Sequence, residues 1–319
     1  MKDRLVVLGG AGFIGFHLSS FLANKYPDTN IFIVDSFVNS KKDDYLRKLL
    51  ERPNVSLIEG NLCEESFVSN LIQKNDFVIN LAAFNGTSNF YNFPLSVLEN
   101  SAISAILAAK YCAIKGAAKY VYFGSSESYA GGLELGVVEL PTKEDVPLIT
   151  VDPKNPRWSY GSAKTIGEIA CHAAFAQYGL SFNILRVHNI YGPRMGVHHV
   201  IPDLINRFNN GEGTVYGMDE TRSFLYIDDA VQMISEVISN ENCKNLTLNI
   251  GSENEISIKD LSSMIRDLVK PELELKNLQR IPGSVMRRRP DMTFTRSFVN
   301  LKLTELSDGL KIVVKDILG

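Results

Sequence analysis

Cysteine is scarce. Cys63, Cys112, Cys171 and Cys243 are scattered, and no two share a C-x-x-C spacing. That excludes a thiol redox pair and a zinc site built from clustered ligands, so no metal is expected. The four thiols read as reduced and mostly buried, as in a cytoplasmic protein. Excess charge of either sign is also missing. The chain has 33 basic and 36 acidic residues, a net charge of −3, so neither a nucleic acid nor a membrane surface is an expected partner. Long apolar runs are absent too. The best candidate, residues 102–118, carries Lys110 and Lys115, and no stretch is expected to cross a bilayer. The apolar start at residues 5–8 is too short for a signal peptide, and Gly9-Gly10 breaks it. Trp158 is the only tryptophan, and its default role is packing at the edge of a cleft.

What is present is an ordinary globular mixture. Its 319 residues suffice for one large domain or two unequal ones. Residues 5–8 read as a buried parallel strand. Gly9, Gly12 and Gly15 follow with G-x-x-G-x-x-G spacing, Phe13 and Ile14 lie between the last two, and a helical pattern runs from Phe16 to Ala23. Strand, glycine turn and helix together point to a dinucleotide site. The glycines permit a tight turn and close approach of backbone to a pyrophosphate, and the helix N-terminus favours its charge.

A second strand, 31–34, ends in Asp35, an acid about 20 residues past the turn and placed for the adenosine ribose. A carboxylate there repels a 2′-phosphate, so NAD is expected over NADP. Asp35 reads alternatively as a cap for the next loop, and Lys41 and Lys42 keep NADP open. A third strand, 55–58, leads to Asn61 and Leu62, and a fourth, 77–79, to Leu81, Ala82 and Ala83, small enough for a cofactor to lie against the backbone. A long Ala- and Leu-rich helix is expected over about 94–115, a fifth strand over 120–123, a sixth over 182–185 and a further strand over 246–250. This alternation predicts an α/β fold with a doubly wound parallel sheet and ligands at the carboxyl ends of its strands.

Tyr160 and Lys164 are four residues apart, on one face of a predicted helix. A cation beside a phenol favours the phenolate, so the tyrosine is expected to titrate below its ordinary value and to accept a hydroxyl proton. The fifth strand ends in Ser125-Ser126-Glu127, which reads either as a hydroxyl and a carboxylate facing substrate or as a Ser-rich capping turn. Residues 131–156, with four prolines, read as a loop lining the mouth of the site.

The glycine turn, Asp35, Ser125 and the Tyr160/Lys164 pair resemble the extended short-chain dehydrogenase/reductase family, in particular its nucleotide-sugar epimerase/dehydratase branch. Residues 186–193 (RVHNIYGP), 221–229 (TRSFLYIDD) and 289–291 (RPD) resemble further segments of that branch in the same order. The resemblance implies a Rossmann-type NAD-binding domain over 1–190, rejoined by 218–250, and a smaller α/β substrate-binding domain from 191–217 and 251–319. It implies Tyr160 as acid/base at sugar C4, with Lys164 and Ser125 in support, and Asn189, Arg222 and Arg289 on the diphosphate of a nucleotide sugar. Ser126 is expected beside the substrate. Arg222 paired with Asp228 or Asp229, and residues 287–289 as a solvated basic patch, are the structural alternatives.

Three departures from the branch stand out. Asn61 replaces its usual acid near the adenine, and Ser128-Tyr129-Ala130 replaces Val-Tyr-Gly. Ser125-Ser126-Glu127 looks like the [ST]-S-E of the branch's decarboxylases and 4,6-dehydratases, so Glu127 is either an extra catalytic group or a structural acid. The expected chemistry is NAD-dependent oxidation at C4 through a 4-keto sugar, followed by epimerisation or by loss of water or carbon dioxide. A net 4-dehydrogenase needing a second oxidant is the alternative reaction, and a non-catalytic NAD sensor the alternative class. His198-His199 is expected at the substrate loop, touching sugar or shaping the loop. Family members are commonly dimers, so a homodimer is expected.

Overall fold

The computed structural model describes residues 3–279 and 285–319. Seven strands form one parallel sheet: β1 (Arg4–Leu8), β2 (Asn30–Asp35), β3 (Val55–Glu59), β4 (Phe77–Asn80), β5 (Lys119–Ser125), β6 (Phe182–Val187) and a seventh, Thr247–Ile250. In space they run seventh, β6, β5, β4, β1, β2, β3. The order reverses between β1 and β4, and the crevice outside the carboxyl ends at that point is where such a sheet binds ligands. The central strands are mostly apolar because both faces are covered. Leu5 and Val7 point into one buried layer, while Val6 and Leu8 point into the other.

The first helix, Phe13–Lys25, packs beside Ile227–Ser239 on one face. It starts three residues before the periodic pattern did, directly after Gly12. On the other face Trp158–Tyr178 packs against Ser104–Lys115.

The expectation about membrane-length helices needs correction. The helical run Pro94–Lys115 is 22 residues long and apolar enough to cross a bilayer by length and composition. It begins eight residues before the window judged from sequence, so its one charged end counts for less. Here 44% of its most apolar stretch is buried, with Ala105, Ala108, Ala109 and Cys112 packed on the sheet. A π-helical segment, Glu99–Ile103, interrupts it beside the crevice.

The rest of the chain forms short strands and helices over the carboxyl ends of the sheet. Thr221–Ser223 pairs with both Glu255–Ser257 and Arg287–Arg288, and Thr214–Tyr216 pairs with Lys276–Leu278. Helices Val200–Asn209, Ile258–Val269 and Leu306–Leu318 pack on one another behind these strands. Thr247–Ile250 returns to the main sheet beside β6.

Candidate active site

A cleft of about 840 Å³ opens at the carboxyl ends of β1, β4 and β5. Its first half is made of backbone and small side chains. Gly9, Gly12, Phe13, Ile14 and Gly15 line it where β1 turns into the first helix. Gly9 has φ of +75°, and a Cβ there would meet the Ala82 backbone at 2.8 Å. At Gly15 a Cβ would meet the Gly9 carbonyl at 2.4 Å. Gly12 instead has open space beside it, its only near neighbour being that carbonyl at 3.3 Å. The first helix has no side-chain cap and no acid in its first turn, so its leading N–H groups face the cleft unanswered. This is a cradle for an anion, and it fits a dinucleotide pyrophosphate.

Asp35 lines the same half, and its carboxylate is already engaged. It accepts from Ala11 N at 3.0 Å, Phe37 N at 2.9 Å and Ser40 Oγ at 2.7 Å. Both readings of this acid therefore apply: it braces the glycine turn and the following loop while facing the cleft. Asn61, Leu62, Leu81, Ala82 and Ala83 complete the wall, Asn61 through a turn in which it accepts from Cys63 N at 2.9 Å.

Where β5 ends, Ser125, Ser126 and Glu127 enter the cleft on the tight turn Ser126–Tyr129, and Tyr160 and Lys164 face them from the helix Trp158–Tyr178. Ser125 Oγ accepts from Glu127 N at 3.2 Å, and the Ser125 hydroxyl favours the ionised form of the nearby Tyr160 phenol. Phe90 stacks on the Tyr160 ring, with centroids 5.0 Å apart. The electrostatics correct one expectation. Burial pushes the Tyr160 phenol well above its ordinary value, and the Glu127 charge adds to this against the Ser125 hydroxyl. Lys164 does not reverse it. Its Nζ donates to the Phe123 carbonyl at 2.8 Å and lies 5.7 Å from the Tyr160 ring centre, and burial lowers its own value to about 8. Shared helix face put the two residues side by side, but desolvation outweighs the cation.

The second half of the cleft is built from long charged side chains. Glu127 is gripped by Arg288, and by Arg157 at 3.3 Å. Burial pushes its carboxyl up, but the charges of Arg288 and Arg157 outweigh that and hold it below the usual carboxylate range. Glu127 is therefore ionised in this setting. Arg288 and Arg222 are register neighbours on parallel strands. Burial and the Arg288 charge bring Arg222 down to about 10, even though Glu220 accepts from it at 2.8 Å. Two buried guanidiniums side by side make this end of the cleft strongly attractive to anions.

Arg222, Asn189, His198 and His199 line the cleft as sequence reasoning had them. Arg222 pairs with Glu220, not with Asp228 or Asp229. Asn189 Nδ2 donates to the Ser223 carbonyl at 3.0 Å, fixing that side chain at the wall. Arg289 is a correction, because Arg288 faces the cleft in its place. Strand alternation turns only one of adjacent residues to a given face. Arg287 pairs with Glu255, Arg288 points inward, and the Arg289 carbonyl accepts from Thr142 N at 2.8 Å.

Residues 131–156 are a second correction. They contribute nothing to the cleft wall and begin inside a short helix, Ala130–Glu134. Their role is behind the wall, where Thr142 bridges to Pro290 and accepts from Asp291 N at 2.8 Å, holding the Arg288 strand in place. Arg157 and Arg194 were missed. Arg157 belongs to no local pattern, and Arg194 stood next to a quoted motif, Gly192-Pro193. Among the described residues no cluster of His, Cys, Asp or Glu could hold a metal ion, and the four cysteines are unpaired by disulfide.

Behind the reacting groups lies a buried polar network. Arg186 is bound by both oxygens of Glu168, the closer contact at 2.7 Å, and donates to Tyr129 Oη at 2.9 Å. Tyr129 donates to Asn249 Oδ1 at 2.9 Å, which also accepts from His188 Nε2 at 3.1 Å. This joins the Tyr160 helix, the Ser126–Tyr129 turn, β6 and the seventh strand behind the reacting groups.

Comparison with known proteins agrees with this arrangement. The sequence model of the NAD dependent epimerase/dehydratase family matches residues 5–251. The chain is 32% identical over 311 residues to a UDP-N-acetyl-alpha-D-glucosaminuronate decarboxylase of Bacillus cytotoxicus, covering 92% of this chain and 90% of that protein. It is 28% identical over 274 residues to a dTDP-D-glucose 4,6-dehydratase of Dictyostelium discoideum, 82% of this chain but only 61% of the relative's length. Among solved structures, a UDP-glucuronic acid 4-epimerase from Bacillus cereus with UDP-glucuronic acid and NAD superposes with a TM-score of 0.87 at 23% identity, covering 99% of each chain. A nicotinamide dinucleotide fits the uncapped glycine cradle, and with the family match over most of its length the chain belongs to the NAD-dependent epimerase/dehydratase family.

Proposed function

We propose that the protein oxidises C4 of a nucleoside-diphosphate-linked sugar and completes the reaction within one active site, as an epimerase, dehydratase or decarboxylase does. The observation that carries this is the meeting of Ser125, Tyr160 and Lys164 at the carboxyl end of β5, in one cleft with the glycine cradle. The cradle residues Gly9, Gly12, Gly15 and Asp35 would hold the dinucleotide, which supplies hydride acceptance and return. Tyr160 takes the C4 hydroxyl proton, with Ser125 bonded to the same oxygen. Its high resting proton affinity makes it a strong base once ionised, and the buried Lys164 ammonium steadies the phenolate as it forms. Arg222 and Asn189 hold the diphosphate.

A more specific reading is that the sugar carries a carboxylate. Arg157 and Arg288 line the same cleft as Tyr160, and both pair with Glu127. A sugar acid would share these guanidiniums with Glu127, and the ionised Glu127 could take a proton but not give one. The decarboxylase relatives support this reading. The net 4-dehydrogenase differs in its resting cofactor. Denaturing the purified protein and identifying the released dinucleotide separates the two. NAD⁺ is expected for a closed cycle, and mostly NADH would favour the net dehydrogenase.

We also propose a homodimer through the Pro94–Lys115 and Trp158–Tyr178 helices, whose outer faces expose Ile103, Ile106, Ile114, Ile166, Ile169 and Phe175. Sedimentation velocity is expected to give a dimer for the native chain and a monomer for Ile169→Arg. A native monomer would refute the assignment.

A further inference from the structure

The cradle is built by the glycine turn, but one charged group reaches it from far along the chain. Arg194 follows Gly192-Pro193 and lines the cleft together with Gly12 and Asp43. Its side chain is only 7% exposed. Nε donates to Asp43 Oδ2 at 2.8 Å, Nη2 reaches the Ala11 carbonyl at 3.4 Å, and the guanidinium lies 4.2 Å from the Phe16 ring centre. Nη1 is buried and has no hydrogen-bond partner among the described residues. A guanidinium N–H left unsatisfied in a buried position is costly unless a ligand answers it. The backbone is strained as well: Arg194 has φ of +64°, unusual for a residue with a side chain. Such strain persists where the surroundings impose it. Here they do, since His17 on the first helix donates to the Pro193 carbonyl at 2.9 Å and Asp316 near the C-terminus accepts from Arg194 N at 3.3 Å.

We propose that Arg194 is a phosphate clamp, closing the dinucleotide pyrophosphate site opposite the glycine turn and using Nη1 as its donor. Asp43 and Phe16 hold the guanidinium so that its remaining edge is presented to the anion, the geometry in which Arg exceeds Lys. Residues 195–199, which directly follow, line the cleft on the substrate side. The clamp therefore links the loop that carries these residues to the cofactor site.

The test uses the full chain stripped of nucleotide and titrated calorimetrically with NAD⁺ and with adenosine, which lacks phosphate. Arg194→Gly suits the positive φ, so it removes the guanidinium without adding strain. The expected result is a loss of NAD⁺ affinity of about tenfold or more with adenosine affinity nearly unchanged, and a smaller loss for Arg194→Lys. Equal losses for both ligands would show that the residue only shapes the loop, and no loss would show that Nη1 does not meet the phosphates. Either would overturn the clamp. A native chain that binds neither ligand would instead overturn the dinucleotide assignment, and the clamp with it.

Discussion

The two halves of the cleft are made in opposite ways. The dinucleotide half uses backbone N–H groups, glycines and alanines within the first 83 residues, at the ends of adjacent strands. The half proposed for the sugar uses Glu127, Arg157, Arg222 and Arg288, drawn from segments up to 161 residues apart and held by charge pairs. The first kind of site is pre-formed by the sheet and indifferent to what the sugar is. The second is an electrostatic balance in which each group depends on its neighbours. A single scaffold can thus keep one cofactor while the reaction changes through a few long side chains.

Substitutions separate the two halves. The largest effect is expected where the halves meet. Tyr160→Phe removes the proton acceptor and is expected to lower turnover of a nucleotide sugar about a thousandfold while dinucleotide binding stays intact. Turnover near the native rate would show that another group is the base. In the sugar half, Arg288→Met leaves Glu127 with Arg157 as its cleft partner and is expected to cost about 4 kcal/mol in denaturant unfolding. Adding Glu127→Gln is expected to recover much of that loss, because the carboxylate then held by Arg157 alone is gone. If the double variant is as unstable as the sum of the two singles, the pair is not coupled.

In the dinucleotide half, Gly15→Ala forces a Cβ against the Gly9 carbonyl. It is expected to cost about 3 kcal/mol and to weaken NAD⁺ binding, with no electrostatic partner able to restore it. Recovery by a second-site charge change would contradict the division drawn here.

The smallest effect is a proton linkage. Burial brings His188 down to about 4 against a raising bond from Asn249, with Arg288 and Arg186 lowering it further. The imidazole is thus neutral in the folded chain, while the unfolded chain binds a proton from about pH 6.5 downward. Stability from this group is present above that pH and is lost as pH falls toward 4. The expected loss is about 2 kcal/mol between pH 7 and 5, and His188→Gln is expected to remove that slope. An unchanged slope would place the acid sensitivity elsewhere.

The same division explains what could be read from the residues alone. Gly9 and Gly15 were legible because a turn that admits no Cβ at those points leaves a local pattern, and Gly12 and Ala82 because small residues beside a strand end stand out. Tyr160 and Lys164 were legible because helical spacing places both on one face. The charge state of Tyr160 was not, since it depends on burial and on Glu127, which no spacing encodes. Arg288 was displaced by its neighbour Arg289 because three consecutive arginines conceal strand register until the pairing with Thr221–Ser223 is known. Residues 131–156 look like a loop in sequence, and only their contacts with Pro290 and Asp291 show that they brace the wall from behind.

In the proposed reaction hydride leaves C4 of the sugar and is kept within the active site. Its most direct test is turnover of UDP-glucose and UDP-glucuronate deuterated at C4, with the position of the label in the product read by NMR. Deuterium is expected to stay in the product sugar, on C4 for an epimerase or decarboxylase and on C6 for a 4,6-dehydratase. Deuterium lost to solvent, or collected in reduced cofactor in step with turnover, would contradict it.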